Sequence, residues 1–237
     1  MRIKPDVASV VGPSDDAHWG QAILSPTAYG VVELSALDAQ RSGIELLTTL
    51  SERLENPPVS LHELAELSRD VTFEGVTTIL LLVPVGPIVY VVLSGNGAVY
   101  LKRGNTLSCL LQKEGRLSGE VKKGDTLLLA SDSLCRSVSQ DTLLGVFDHL
   151  ASKDVAEKLT LVLHEGGGGP GSAALIFQVD EFVSTEGEQD MPRRAAEVVG
   201  EQPMETVWRI PKWRPPHWNA FKTRVFQSKR KQSLVLV

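Results

Sequence analysis

Apolar and polar positions alternate through the middle of the chain and take up helical spacing on either side of it. Strands are expected at about 20–26 and 29–34. Over 38–54, Ile44, Leu47, Leu50 and Leu54 form one stripe at helical spacing, which predicts an amphipathic helix. Ser60 and Glu63 make a capping box that opens a second, shorter helix through Leu64 and Leu67. Runs at 76–84, 88–94, 97–103, 106–112 and 126–130 are punctuated by Gly and Pro as in an antiparallel meander, and Asn96 with Gly97 reads as a tight hairpin turn. Helices at 140–151 and 154–164 precede a last strand at 173–180. Strands gathered between two groups of helices fit a layered α+β sandwich.

Composition keeps this picture ordinary. With 42% hydrophobic residues and 13 prolines in 237 positions, the chain has enough core for one domain. Cys109 and Cys135 are too few for a disulfide framework or a zinc site, so both read as buried small apolar residues in a reducing compartment. His18, His62, His149, His164 and His217 show no paired metal-ligand spacing and are assigned structural or surface roles. Residues 1–6 lack an apolar h-region, so no cleaved signal peptide is expected, and no apolar run approaches the ~18 residues of a span. Gly166–Gly169 stands before a strand rather than after one, which is the reverse of a P-loop, and reads as a flexible loop.

Candidate chemistry centres on Gly124–Leu134. Leu127, Leu128, Leu129 and Ala130 form a strand-length apolar run between Gly124 and Asp125 before it and Ser131, Asp132 and Ser133 after it. Asp132 then emerges where a buried strand ends. A carboxylate at the mouth of a sheet suits a hard divalent cation, which takes oxygen ligands and keeps several waters. The residues alone leave Asp132 open between metal ligand and helix cap or turn residue, and leave Asp15 and Asp16 readable as solvating a turn after Gly12 and Pro13.

With its upstream segments, this stretch resembles the PP2C/PPM-type metal-dependent protein phosphatases. Their Gly-Asp, apolar strand and Ser-Asp-Gly are matched by Gly124–Ser133, their Gly-Asp-Ser-Arg strand pair by Ser94–Gly104, and their Gly-Ser-Thr strand by Gly75–Val83. The likeness spans residues 8–182. It implies a four-layer α-β-β-α sandwich with two antiparallel sheets flanked by helices. It also implies a centre in which carboxylates hold two Mn2+ or Mg2+ ions that activate water for serine/threonine dephosphorylation. On this likeness Asp16, Glu33 and Asp132 are the metal ligands. The match is degenerate elsewhere. Glu33 and Leu34 replace the family's central Asp-Gly, Ser133 replaces a glycine, and Ser172 stands about where a late aspartate belongs. Residues 9–13 offer no phosphate-binding arginine. A neutral hydroxyl is a poor ligand for a hard cation. The resemblance therefore implies a pseudophosphatase that binds the metals weakly or not at all, with an active enzyme on a reduced metal site as the alternative.

Charge divides the chain. Residues 205–237 carry eight Lys or Arg and one acidic residue, a balance of +7, so the remainder carries −12 of the total −5. The expected organisation is a phosphatase-like domain at 1–182, an acidic disordered linker at 183–204 and a basic, Trp- and Pro-containing tail at 205–237. Trp208, Trp213 and Trp218 among basic residues, then Lys229–Lys231 ahead of Ser233–Val237, look like a cytoplasmic juxtamembrane segment. A basic tail that binds acidic surfaces or its own acidic domain reads nearly as well. The expected partners are a phosphoprotein or kinase and a membrane surface or following transmembrane segment; nucleic acid is not expected, because no recognition motif accompanies the Trp and Arg residues. The expected location is the cytoplasmic face of a membrane. A purely structural assembly module, whose tail does the binding, is the third reading.

Overall fold

The computed structural model describes residues 2–71, 74–147, 151–166 and 169–184. Its strands are β1 (Arg2–Val11), β2 (His18–Leu24), β3 (Tyr29–Ser35), β4 (Val76–Val85), β5 (Ile88–Arg103), β6 (Thr106–Glu120), β7 (Thr126–Ala130) and β8 (Ala173–Val183). Its helices are α1 (Ala39–Leu54), α2 (Leu61–Asp70), α3 (Asp132–Ser137), α4 (Gln140–Val146) and α5 (Ser152–Glu165).

The expectation of two separate antiparallel sheets in a four-layer sandwich is overturned. All eight strands join one mixed α/β fold with a single sheet, in the order β1-β8-β7-β5-β4-β3-β2, with β6 also paired to β5. The sheet is nearly closed and barrel-like, and β1 and β2, at the two ends of the order, approach each other. The element that prevents a division into two sheets is β5. It pairs with β4 over 88–95 and with β7 over 98–102, so hydrogen bonding passes without a break from one half to the other.

The change of partner falls at Gly95–Gly97, where a hairpin turn was expected. The strand instead runs through this point with register shifts against β6. Gly95 has φ +81°, and a Cβ there would sit 2.3 Å from the Thr77 carbonyl oxygen; Gly97 has φ +137°, and a Cβ there would sit 2.8 Å from the Ala130 carbonyl oxygen. Backbone without side chains allows β4 and β7 to leave and join β5 at this kink.

Alternation along each strand sends residues to opposite faces. Val31, Leu80, Leu82, Val91, Leu93, Leu127, Leu129, Leu175 and Phe177 fill the interior of the curled sheet. Tyr29 meets Phe177 there edge to face, with centroids 5.0 Å apart, worth about 0.5–1.5 kcal/mol beyond burial. The intervening residues face outward under helices. Val32, Leu34, Ile79 and Leu81 pack against α1 and α2, while Tyr100, Leu128, Ala174 and Ile176 pack against α3, α4 and α5.

Other expectations shift for identifiable reasons. β1 was not expected, because Pro5 interrupts its pattern; it is an edge strand paired to β8, with a register irregularity at Lys4/Pro5, where proline is tolerated. The buried stripe of α1 is Ala39, Gly43, Leu46, Leu50 and Leu54 rather than the stripe through Ile44, which is 54% exposed. Gly43 lies directly against the Trp19 ring and sets that rotation. The capping box at α2 forms, with Ser60 Oγ accepting from the Glu63 amide at 3.2 Å and Glu63 Oε2 accepting from the Val59 amide at 3.0 Å. β6 runs on to Glu120, and α4 ends at Val146. The linker expected at 183–204 falls outside the described residues from 185 onward, as does the whole tail at 205–237.

Candidate functional site

Glu33 and Thr78 face each other across β3 and β4, on the inner face at one mouth of the curled sheet. β7 ends at the same mouth, and Ser131 turns the chain there. Ser131 donates its amide to the Ala173 carbonyl at 2.9 Å and accepts the Ala173 amide on Oγ at 3.0 Å, tying the turn to β8. Thr78 Oγ1 accepts the Asp132 amide at 3.2 Å and donates to the Asn96 carbonyl at 2.7 Å. The start of α3 is thereby fixed over Glu33.

Glu33 is 1% exposed, and both its oxygens are engaged. Oε1 accepts from Ser133 Oγ at 2.6 Å and Oε2 from the Ser133 amide at 3.0 Å. Hydrogen bonds to a carboxylate contribute roughly 1.5–3 kcal/mol each, set against the desolvation that burial imposes. Arg136, one turn further along α3, completes the group. Its Nη2 lies 2.9 Å from Asp132 Oδ2 and 4.0 Å from Glu33 Oε1. The side chain of Asp132 is 23% exposed and that of Arg136 67%, so this side of the cluster meets solvent. The surrounding hollow, of about 400 Å³, is bordered by His18, Ser35, Thr77, Ser137, Gly169 and Pro170.

Of the three residues expected as ligands, Glu33 and Asp132 are brought together through Ser133 and Arg136. Asp16 lines a different hollow, with Asp38, Gln40, Arg41 and Ile44, and its carbonyl accepts the Ala39 amide at 3.3 Å at the start of α1. Its neighbour Asp15 organises the preceding turn, with Oδ1 accepting the Ala17 and His18 amides at 2.9 and 2.7 Å and lying 3.0 Å from His18 Nδ1. The Ala17 amide is the main cause that holds the Asp15 carboxyl below its usual range. Ser172 is buried and donates its hydroxyl to the Gly169 carbonyl at 2.8 Å, closing a local turn. Of the glycine run, Gly167 and Gly168 lie outside the described residues. Asp125, in the Gly-Asp that opens the motif, is a structural anchor. Its Oδ1 accepts from Arg103 Nε at 2.8 Å and its Oδ2 from the Lys122 amide at 2.7 Å, and this carboxylate is the main cause that raises the Arg103 guanidinium pKa.

Sequence reasoning missed Arg136 and the roles of the Ser133 and Thr78 hydroxyls. Asp132 and Arg136 stand at i and i+4, a spacing that pairs charges on a helix. That signal was present, but α3 is six residues long and too short to show periodicity.

No protein-family model matches the chain, and no curated protein matches it. Solved structures do. The catalytic domain of the serine/threonine protein phosphatase PstP, in complex with 2 manganese ions, is 16% identical and superposes with a TM-score of 0.64 over 76% of this chain and 99% of that one. The PPM Ser-Thr phosphatase MsPP from Mycobacterium smegmatis, in complex with cacodylate, is 15% identical with a TM-score of 0.62, covering 75% and 99%. The fold is of the PP2C/PPM phosphatase type. PppA, a key regulatory component of T6SS in Pseudomonas aeruginosa, is likewise similar, at 16% identity and a TM-score of 0.60 over 75% and 98%.

The donors of this PP2C/PPM-like domain do not suit a two-cation centre. Among the described residues, no group of three or more His, Cys, Asp or Glu side chains converges to hold a metal ion. Glu33 is satisfied by Ser133, Asp132 is paired with Arg136, and Ser172 is turned into its own loop. Mg2+ and Mn2+ are hard cations best served by carboxylate, carbonyl and water oxygens, and Mg2+ demands near-octahedral geometry. The arrangement can hold an anionic pair still, and it presents one guanidinium edge to the solvent.

Proposed function

We propose that this PP2C/PPM-like domain works by binding rather than by hydrolysis, as a pseudophosphatase that recognises a phosphorylated protein or a kinase through the surface around Asp16, Glu33 and Asp132. The observation that carries the reading is the engagement of both Glu33 oxygens by Ser133, which leaves the buried acid at the centre of the mouth occupied by the protein itself. Activation of water by a metal needs open coordination positions next to such an acid. The reading keeps the domain's shape as its working surface and gives it no chemical step.

In the same proposal, residues 205–237 bring the domain to the cytoplasmic face of a membrane through their basic and tryptophan side chains. Nucleic acid has no part in it.

Turnover tests the reading. The full chain is incubated with Mn2+ and a phosphoserine peptide, beside an Asp132→Ala variant, and released phosphate is measured. The expected result is no release above the variant's level. Mn2+-dependent release that Asp132→Ala abolishes would refute the pseudophosphatase reading and make Asp132 a working ligand.

A further inference from the structure

We propose that the basic, tryptophan-bearing segment 207–218 of this chain docks on its own domain, in the apolar groove between β2 and α1, with its Arg and Lys side chains on the acids at the end of α1. The groove, of about 570 Å³, is walled by Ile23, Leu24, Pro26, Leu47 and Leu54 and bordered by Glu55. Leu24 is 56% exposed, and β2 is an end strand of the sheet. The groove is separate from the mouth. Leu24 pairs with Tyr29, whereas Glu33 pairs with Gly20 towards the other end of the same two strands.

Charge, exit point and reach name this occupant. Residues 14–71, which hold β2, β3, α1 and α2, carry ten acidic and three basic side chains, a balance of −7 within the −9 of residues 1–182, while 205–237 carry +7. The acids of α1 also gather at the end that suits the helix least. Glu52 and Glu55 stand at its C-terminus, where the helix dipole already places negative charge, and its first turn carries none. Arg53, between them, reaches Asp70 instead, at 3.6 Å. Cations brought from elsewhere relieve this end. Segment 207–218 supplies Arg209, Lys212 and Arg214 without an acid, spaced among Trp208, Trp213 and Trp218, whose rings suit an apolar slot with a polar rim. The chain also leaves the domain beside the groove: Val183, at the end of β8, pairs with Arg2, and Arg2 Nη2 donates to the Pro26 carbonyl at 2.9 Å. The 23 residues from 184 to 206 span at most roughly 80 Å, about twice the width of a domain of this size. Such a tether sets an effective concentration on the order of millimolar, so a modest affinity fills the groove. The inference goes beyond the binding surface at the mouth, and it makes membrane contact by the tail conditional, because the same side chains face one surface at a time.

Hydrogen exchange of the full chain, read by mass spectrometry in the absence of lipid, tests this on four proteins: the unaltered chain, Glu52→Lys/Glu55→Lys, Arg209→Glu/Lys212→Glu/Arg214→Glu, and the two sets combined. The expected result is exchange over 207–218 at least about tenfold slower in the unaltered chain than in either reversed variant, with the slowing restored when both sets are reversed. It should not depend on protein concentration. Leu24→Ser, at an exposed position, should release the segment as well, and it stands in if the charge reversals disturb α1; unchanged exchange in β7 and β8 reports an intact fold. Equal exchange in the unaltered and reversed proteins overturns the proposal. Slowing that survives the groove variants overturns it too, since the segment then rests elsewhere, and slowing that fades on dilution gives the groove to a second copy of the chain. Slowing that appears only when vesicles of anionic lipid are added makes a membrane the segment's partner and overturns the docking.

Discussion

At the scale of single residues, burial decides what each acid can do. Glu33 and Asp132 are both at strand ends in the sequence, and both could be picked out as candidate ligands. Their fates differ because Glu33 is enclosed and saturated by Ser133, whereas Asp132 stays partly in solvent and pairs with Arg136. The same burial acts on Cys135, between Leu134 and Arg136 in α3. Desolvation, with a smaller contribution from the Asp132 charge, pushes its thiol from 9.0 up to about 12. A group whose pKa is raised on folding adds stability that is complete below its unfolded value and is lost as pH rises through the folded one. The protein is therefore expected to lose stability as pH climbs from about 9 towards 12, partly through Cys135, and Cys135→Ala to flatten that decline. Urea midpoints across this range for both proteins check it; parallel curves would show that the thiol plays no part. The sequence led to the expectation of a buried, apolar Cys135, and the thiol is partly buried against the cluster beneath α3, α4 and α5; the helix that carries it was not expected, because at six residues it is too short to be recognised by pattern.

At the scale of elements, the sequence was most readable where alternation was clean and least where a strand changes partner. β3, β4, β7 and α2 follow directly from their apolar spacing and capping residues. β5 does not. Asn96 and Gly97 carry the composition of a hairpin turn, but tertiary pairing with β4 on one side and β7 on the other holds the segment extended. Gly95→Ala is expected to destabilise the fold by about 1–3 kcal/mol, since it places a side chain at φ +81° against the Thr77 carbonyl. The denaturant midpoint should fall with little change in m. A midpoint equal to that of the unaltered protein would mean that the kink between the two halves tolerates a side chain. β1 was hidden for the opposite reason: Pro5 is unfavourable in a strand interior but acceptable on an edge, and edge position is settled by the rest of the sheet.

At the scale of the whole molecule, the sheet's near closure is what brings the distant residues together. Glu33 and Ser133 are 100 positions apart, and their contact depends on β5 joining the half that carries β3 to the half that carries β7. Periodicity reports which face of a strand is buried, but not whether two groups of strands share one hydrogen-bonded sheet, so the division into two sheets could not be tested before the pairing was known. The fold type and the replaced ligand positions were legible through scattered motifs, while the partners that hold Glu33 and Asp132 were not, because they depend on side chains from β3 and α3 meeting across the mouth. The central claim is that these side chains, and not divalent ions, complete that centre. A calorimetric titration of the full chain with Mn2+ tests it most directly. The account predicts no saturable heat up to millimolar metal in either the unaltered protein or Asp132→Ala. Tight, saturable binding that Asp132→Ala abolishes would contradict it.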